Sequence, residues 1–357
     1  MKKHIILLLL LQLCNFTFAI EKQDSLKKVS YAAIPIIDYD KTFGLSGGAL
    51  VQAFYKLNQN DTISPSSSTG IFGIYSTNNT FFTAAFQQMY FNEDRWRVMM
   101  AGGFGNINFQ YWQEIPVSEG VFIGFNTKAT FTLLRVERKI FDQLYIGVNG
   151  IYSKAKTGYD LPDWVPDSLK SEKVNMHNIG YQLNYDKREH QLNPYGGYNI
   201  EFKHAVYSEW LNSSSNFNNF EFTYNHYFKI KNEKNILATR FKADISTGDV
   251  PFQGQNVVGQ DDIRGYTSGK YRNNQVYAIQ AEYRWRFYKK LGMVGFMGLA
   301  TAVDSFSEIP DHELLPGIGV GFRFMMIEKE RVNIGIDIAQ GKDDWGLYFR
   351  IGESFGR

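Results

Sequence analysis

Tyr277-Ala278-Ile279-Gln280-Ala281-Glu282-Tyr283-Arg284-Trp285-Arg286-Phe287 reads as two interleaved surfaces. Tyr277, Ile279, Tyr283, Trp285 and Phe287 fall on one parity; Ala278, Gln280, Glu282, Arg284 and Arg286 fall on the other. Successive side chains of a strand point to opposite faces, so this segment has one apolar and one charged face. At about ten residues or more it has the length of a tilted membrane strand, longer than most soluble strands. The pattern recurs. Phe220, Phe222, Tyr224, Phe228 and Ile230 alternate with Asn219, Glu221, Thr223, Asn225 and Lys229. Leu237, Phe241 and Ile245 alternate with Arg240, Lys242 and Asp244. Trp345, Leu347, Phe349, Ile351 and Phe355 alternate with Gly346, Tyr348, Arg350, Gly352 and Ser354.

Extending this reading along the chain predicts strands at 31–38, 44–57, 68–78, 80–91, 95–106, 121–139, 143–154, 174–187, 196–208, 217–230, 235–247, 274–288, 292–304, 315–327, 331–340 and 344–355. The expected fold is all-β, a transmembrane antiparallel β-barrel of about 16 strands of the outer-membrane type. Its apolar parity would face lipid and its charged parity a wet lumen; the competing reading is a secreted sandwich or propeller. An even strand count puts both termini on the periplasmic side. The longer connections, 107–120, 155–173, 209–216, 248–273 and 305–314, then fall outside. The segment 58–67 is long for a periplasmic turn.

Composition fits this picture. The 357 residues carry 38 Lys+Arg and 36 Asp+Glu, a net charge of +2 that argues against nucleic acid as a partner. Aromatic residues make up 16% and glycines number 32. Mean hydropathy is −0.31, as expected when lipid-facing and lumen-facing parities are averaged. The longest uncharged apolar stretch, 291–303, is shorter than the roughly 20 residues of a membrane helix.

At the N-terminus, Lys2 and Lys3 precede an apolar run from Ile5 to Leu13, and Thr17-Phe18-Ala19 supplies a small-residue cleavage site. Residues 1–19 are read as a cleaved signal peptide. Cleavage removes Cys14, the single cysteine, and with it disulfides and thiol chemistry. Leu13 before Cys14 argues against a lipid anchor. Residues 20–30 are then a short periplasmic segment, and 31–357 the barrel.

The loop 248–273 contains Gly259-Gln260-Asp261-Asp262-Ile263-Arg264-Gly265-Tyr266. An Ile-Arg-Gly-Tyr tetrapeptide in the sixth outer loop, with five strands following it, resembles the Omp85 superfamily of BamA, TamA and the D15 surface antigens. The resemblance implies that this loop folds into the lumen and that Arg264 pairs with acidic residues of the next strands. Glu282 stands where the first is expected. In Phe296-Met297-Gly298-Leu299-Ala300, Gly298 replaces the second, and Asp304, of the same parity, is expected to substitute. Asp186-Lys187-Arg188 followed by Asn193-Pro194-Tyr195-Gly196-Gly197 resembles the family's mid-barrel turn, with Asp186, Arg188, Asn193, Pro194 and Gly197 as its matching residues. Taken alone, that piece reads equally well as a plain tight turn. The end of the chain, with Phe355 as its last aromatic residue, resembles the C-terminal signal of outer-membrane barrels.

The resemblance further implies a barrel-only member without POTRA modules, integral to the outer membrane of a Gram-negative bacterium. It would assist protein insertion or translocation through a lateral seam between the first and last strands. The seam would join Tyr31–Asp38 to Gly346–Phe355, with Gly346 and Gly352 loosening it. Expected partners are outer-membrane lipids, unfolded or partly folded outer-membrane proteins, and a separate periplasmic protein in place of POTRA modules. The alternatives are a passive porin or structural barrel, a lipid-handling protein, or a lipase.

No enzyme, cofactor or metal is expected. Gly44-Leu45-Ser46-Gly47-Gly48 matches a nucleophile motif only in form, because it opens a strand and not a strand-to-helix turn. His177, His190, His204, His226 and His312 are scattered, and His312-Glu313 lacks a second histidine four residues on. Asp261-Asp262 and Asp343-Asp344 read as loop charges.

Overall fold

The computed structural model describes residues 29–40, 43–115, 118–162, 165–167, 170–259, 262–267, 269–328 and 330–355. The expected signal peptide and residues 20–28 lie outside them. Sixteen barrel strands are described, each antiparallel to its sequence neighbours. They are β1 Val29–Asp40, β2 Gly44–Tyr55, β3 Ser67–Ser76, β4 Phe81–Phe91, β5 Trp96–Ile115, β6 Ser118–Phe141 and β7 Leu144–Tyr159. β8 comes in two pieces, Ser171–Asn175 and Asn178–Asp186. There follow β9 Gly197–Tyr207, β10 Phe217–Lys229, β11 Asn235–Gly248, β12 Gln275–Tyr288, β13 Leu291–Val303, β14 Leu315–Ile327, β15 Val332–Gly341 and β16 Asp344–Ile351.

Burial separates the two parities. Ile146, Val148 and Tyr152 on β7, and Ile318, Val320 and Phe322 on β14, are exposed, whereas Gln182, Asn225, Glu282 and Asp337 are buried. Apolar groups outside and polar groups inside are the inverse of a soluble protein, and they suit a barrel in lipid. The core is therefore the polar lumen. β1 begins and β16 ends at one end of the barrel, the terminal end; the connection between β11 and β12 lies at the opposite, loop end.

Several boundaries differ from expectation; β7 continues to Tyr159 and β8 starts at Ser171, so both ends of the expected loop 155–173 are strand. β5 and β6 continue to Ile115 and from Ser118, so most of the expected loop 107–120 is a long hairpin. β8 breaks at Met176-His177, where the His177 imidazole accepts from the Ser153 amide at 3.1 Å in place of a ladder bond. β16 stops at Ile351, because Gly352 takes φ +84 and turns the chain inward.

The ring closes weakly. β1 pairs with β2 from Val29↔Tyr55 to Asp40↔Gly44, but among the described residues its ladder with β16 is the single pair Tyr39↔Leu347. Nearer the terminal end, Ala32, Ile34 and Phe54 pack against Met326, Ile327, Ile334 and Ile351. Ile334 shares the face of exposed Ile336 and Ile338, and Ile351 pairs with Ile334. The inner face of β1–β2 thus lies over the outer face of β14–β16. The strands overlap there where edge-to-edge pairing would close a regular barrel.

Candidate functional site in the barrel lumen

The loop between β11 and β12 leaves Gly248, forms a short ribbon of Asn256–Val257 with Arg272–Asn273, and sends its tip into the lumen. Gln260 and Asp261 lie outside the described residues. Ile263 and Tyr266 join Val258, Val276, Ala278, Ala300 and Leu315 in a buried apolar cluster. Gly265 has φ +108, and a Cβ there would lie 2.8 Å from the backbone of Gln340 and Gly341. On the wall, a Cβ at Gly317 would come within 2.5 Å of the Arg264 carbonyl oxygen. Two glycines therefore allow the tip and the wall to meet backbone to backbone.

Hydrogen bonds hold the tip. The Tyr266 hydroxyl donates to the Pro316 carbonyl at 2.6 Å and accepts from the Lys342 amide at 3.0 Å. The Gly265 amide donates to the Tyr348 hydroxyl at 2.8 Å. The Thr267 amide donates to Asp344 at 2.7 Å. Asp344, expected as a loop charge, is buried and anchors the loop; Asp262 is also buried and accepts from the Gly259 amide at 3.1 Å. Gly346, expected to loosen the last strand, leaves room for the Tyr348 ring, since a Cβ there would lie 2.5 Å from the Tyr348 hydroxyl.

Arg264 is 2% exposed. It donates to Glu282 Oε2 and to Asp337 Oδ2, each at 2.6 Å, and its guanidinium sits 3.3 Å from the Phe296 ring centroid. The second carboxylate is Asp337 on β15, and not Asp304. Asp304 follows β13 at the loop end, where it accepts from the Asn274 side chain. Six residues of strand separate it from Gly298, about 20 Å along the wall and out of reach of Arg264.

The pair belongs to a larger network. Asp337 also accepts from Arg323 and, at 2.9 Å, from Arg350. Glu282 Oε1 accepts from Arg284 at 2.9 Å. Glu353, just past the last strand, accepts from Arg323 at 3.0 Å and from Asn333. Four arginines thus meet three carboxylates away from bulk water. Charge-assisted bonds of this kind are strong, but each leaves a desolvated charge if its partner is lost. Asp337, Arg323, Arg350 and Glu353 were missed by the sequence reading. The polar parity of Asp337, Arg323 and Arg350 was legible, but Glu353 falls on the apolar parity of the last strand and comes inside only through the turn at Gly352; pairings between distant strands left no local signal.

Phe355 departs from its expected lipid-facing place. It is fully buried with Tyr195, Tyr227, Ile236 and Ala238, and its carbonyl accepts from Arg284 at 3.2 Å. The turn at Gly352 carries it inside.

A second network lies under the terminal end. Arg188 grips Asp186 with two bonds of 2.8 and 3.0 Å. Arg97 reaches Asp186 at 3.4 Å and holds Asp94 at 2.7 and 3.0 Å, beneath the Tyr145 ring 3.7 Å away. Asn193 accepts from Arg284 at 3.4 Å, which ties the turn after β8 to the Arg264 network. Pro194 is buried, and Gly197 takes φ +88 against the Lys187 carbonyl. The Glu189 carboxylate accepts from the Tyr195 and Gly196 amides at 2.7 and 3.1 Å and from Arg331 at 2.9 Å. His190 accepts from the Leu192 and Asn193 amides at 3.3 and 3.4 Å; burial, then Arg331, pushes its pKa down to about 4.

Ser46 lies buried within β2, opposite Ser76 of β3. His204 and His226 stack on Phe220 and Phe228 at 4.4 and 3.9 Å, within strands. Among the described residues, no group of three or more His, Cys, Asp or Glu side chains is placed to hold a metal.

Comparison with known proteins agrees with this geometry. The Omp85 superfamily domain matches residues 67–355. The fold is similar to BamA from Haemophilus ducreyi lacking POTRA domains 1-3, with TM-score 0.58 and 12% identity over 91% of this chain and 70% of that one. It is also similar to CdiB from Acinetobacter baumannii, with TM-score 0.58 and 13% identity over 92% and 60%. CdiB from Escherichia coli gives TM-score 0.64 and 11% identity over 91% and 62%. The chain spans less than two thirds of either CdiB chain. No curated protein matches it in sequence.

Proposed function

The chain belongs to the Omp85 superfamily, and on that premise we propose that it assists insertion of proteins into the outer membrane of a Gram-negative bacterium, or their passage across it, through the seam between β1 and β16. The terminal end faces the periplasm and the loop end the exterior. Its partners are outer-membrane lipids and unfolded or partly folded barrel proteins, and it acts without catalysis.

The observation that carries this reading is the single paired position at the seam, Tyr39↔Leu347. Backbone groups on the remaining edges of β1 and β16 are not committed to each other, and an incoming strand can add to such an edge. The lumen network holds β12, β14, β15 and β16 together through Arg264, so the wall beside the seam keeps its shape while the edge is free.

The test is a pair of cysteines, Tyr39→Cys with Leu347→Cys, in the full chain reconstituted into phospholipid vesicles. Oxidation should stop insertion of an urea-unfolded outer-membrane barrel protein, read by protease protection, and reduction should restore it. Equal insertion by the cross-linked and reduced forms would overturn the seam mechanism.

A further inference from the structure

Lys128 of β6 lies directly opposite Lys156 of β7, and Lys156 directly opposite Lys173 of β8. Opposed residues on one face have Cβ atoms roughly 5 Å apart, and like charges so placed destabilise a sheet. Lys154, two residues back along β7, shares the same face. All four side chains are exposed. None of the ion pairs among the described residues includes them; the nearby Glu172 carboxylate accepts from Tyr159 at 3.2 Å and from Gln253 at 3.4 Å. Three cations in register therefore call for an anion from outside the chain.

Their surroundings say which anion. Ile146, Val148 and Tyr152 are exposed on this same face of β7, as is Leu134 on β6, so the lysines continue the lipid-facing surface. The change from apolar to basic falls between Tyr152 and Lys154, whose ammonium lies 5.3 Å from the Tyr152 ring centroid. An aromatic residue followed by cations marks the level where hydrocarbon gives way to headgroups. Beside the lysines is a hollow of about 620 Å³, also lined by Phe81 and Phe104. Cations above and rings beside a hollow complement a molecule with an anionic head and an apolar body.

We propose that this face, near the loop end of β6–β8, binds the phosphorylated headgroup of an outer-leaflet lipid. Lysine ammonium groups serve as point charges for phosphate oxygens, with charge-assisted hydrogen bonds. The proposal rests on the barrel's placement in the outer membrane and is independent of whether its seam inserts proteins.

The full chain is delipidated in detergent and titrated with diphosphoryl lipid A, with bound lipid counted by native mass spectrometry. No protein substrate is present, so the result is separate from insertion activity. Lys128→Gln, Lys156→Gln and Lys173→Gln should weaken binding about fivefold per lysine. Dephosphorylated lipid should bind as weakly as the triple variant, and inorganic phosphate at matching concentration should not compete. Unchanged heat-modifiable gel migration shows that each variant folds. Equal binding by the triple variant, or of the dephosphorylated lipid, overturns the proposal. Displacement by inorganic phosphate overturns the lipid assignment in favour of a free-anion site.

Discussion

At the residue scale, Arg264 combines two carboxylates, an aromatic face and near-complete burial. Removing one partner from such a cluster leaves desolvated charge behind, so Arg264→Ala should cost about 3–5 kcal/mol. Arg264→Lys should recover only part of this, because one ammonium cannot fork between two carboxylates. The measurement is the temperature at which the compact gel band converts to the unfolded one; an unchanged midpoint in Arg264→Ala would count against the latch. His190 offers a second test, with a definite sign. Its pKa falls from 6.5 to about 4 in the folded turn, so the unfolded chain binds the extra proton. Its contribution is present above pH 6.5 and is lost as pH falls towards 4. Protonation also removes the acceptor for the Leu192 and Asn193 amides. Amide exchange across 187–196 should therefore quicken on acidification through that window, and His190→Gln should flatten the dependence.

At the element scale, the loop tip is held as much by shape as by charge. Gly317 gives the Arg264 carbonyl its seat. Gly317→Val should push the tip from the wall while leaving every charged residue in place. Trypsin reads the outcome directly: the native chain should resist cleavage after Arg264, and the variant should be cut there. Resistance in the variant would mean that the ion pairs hold the tip without backbone contact. The segment after β16 is joined to the same framework, through Glu353 on Arg323 and the Phe355 carbonyl on Arg284. The end of the last strand and the loop tip thus share one set of arginines, although they are remote in sequence. Nothing local in either segment announces this, because each arginine's parity identifies the lumen and not its partner.

At the scale of the whole molecule, the barrel is a ring with one poorly paired joint and a charged framework beside it. Alternation made the strands legible, because burying one face leaves only one register consistent with the pattern. It also identified lumen and lipid faces, and the family motif located Arg264 and Glu282. It failed where backbone geometry overrides side-chain pattern. The β5–β6 hairpin runs through the segment expected as loop 107–120, Gly352 ends β16 before Phe355, and the overlap at the seam leaves no mark in either strand. Asp304 shares the parity of Gly298 but not its height, because parity fixes a face and not a position along the wall, and Asp337 carries no motif that marks it as a partner of Arg264. The sequence by itself determined the number of strands and the inside-out polarity, both consequences of local periodicity, and its family resemblance implied the loop that enters the lumen. Only the tertiary structure decided which carboxylates Arg264 meets, where Phe355 goes and how little of β1 pairs with β16, because these depend on the stagger that closing a barrel imposes between strands far apart in the chain.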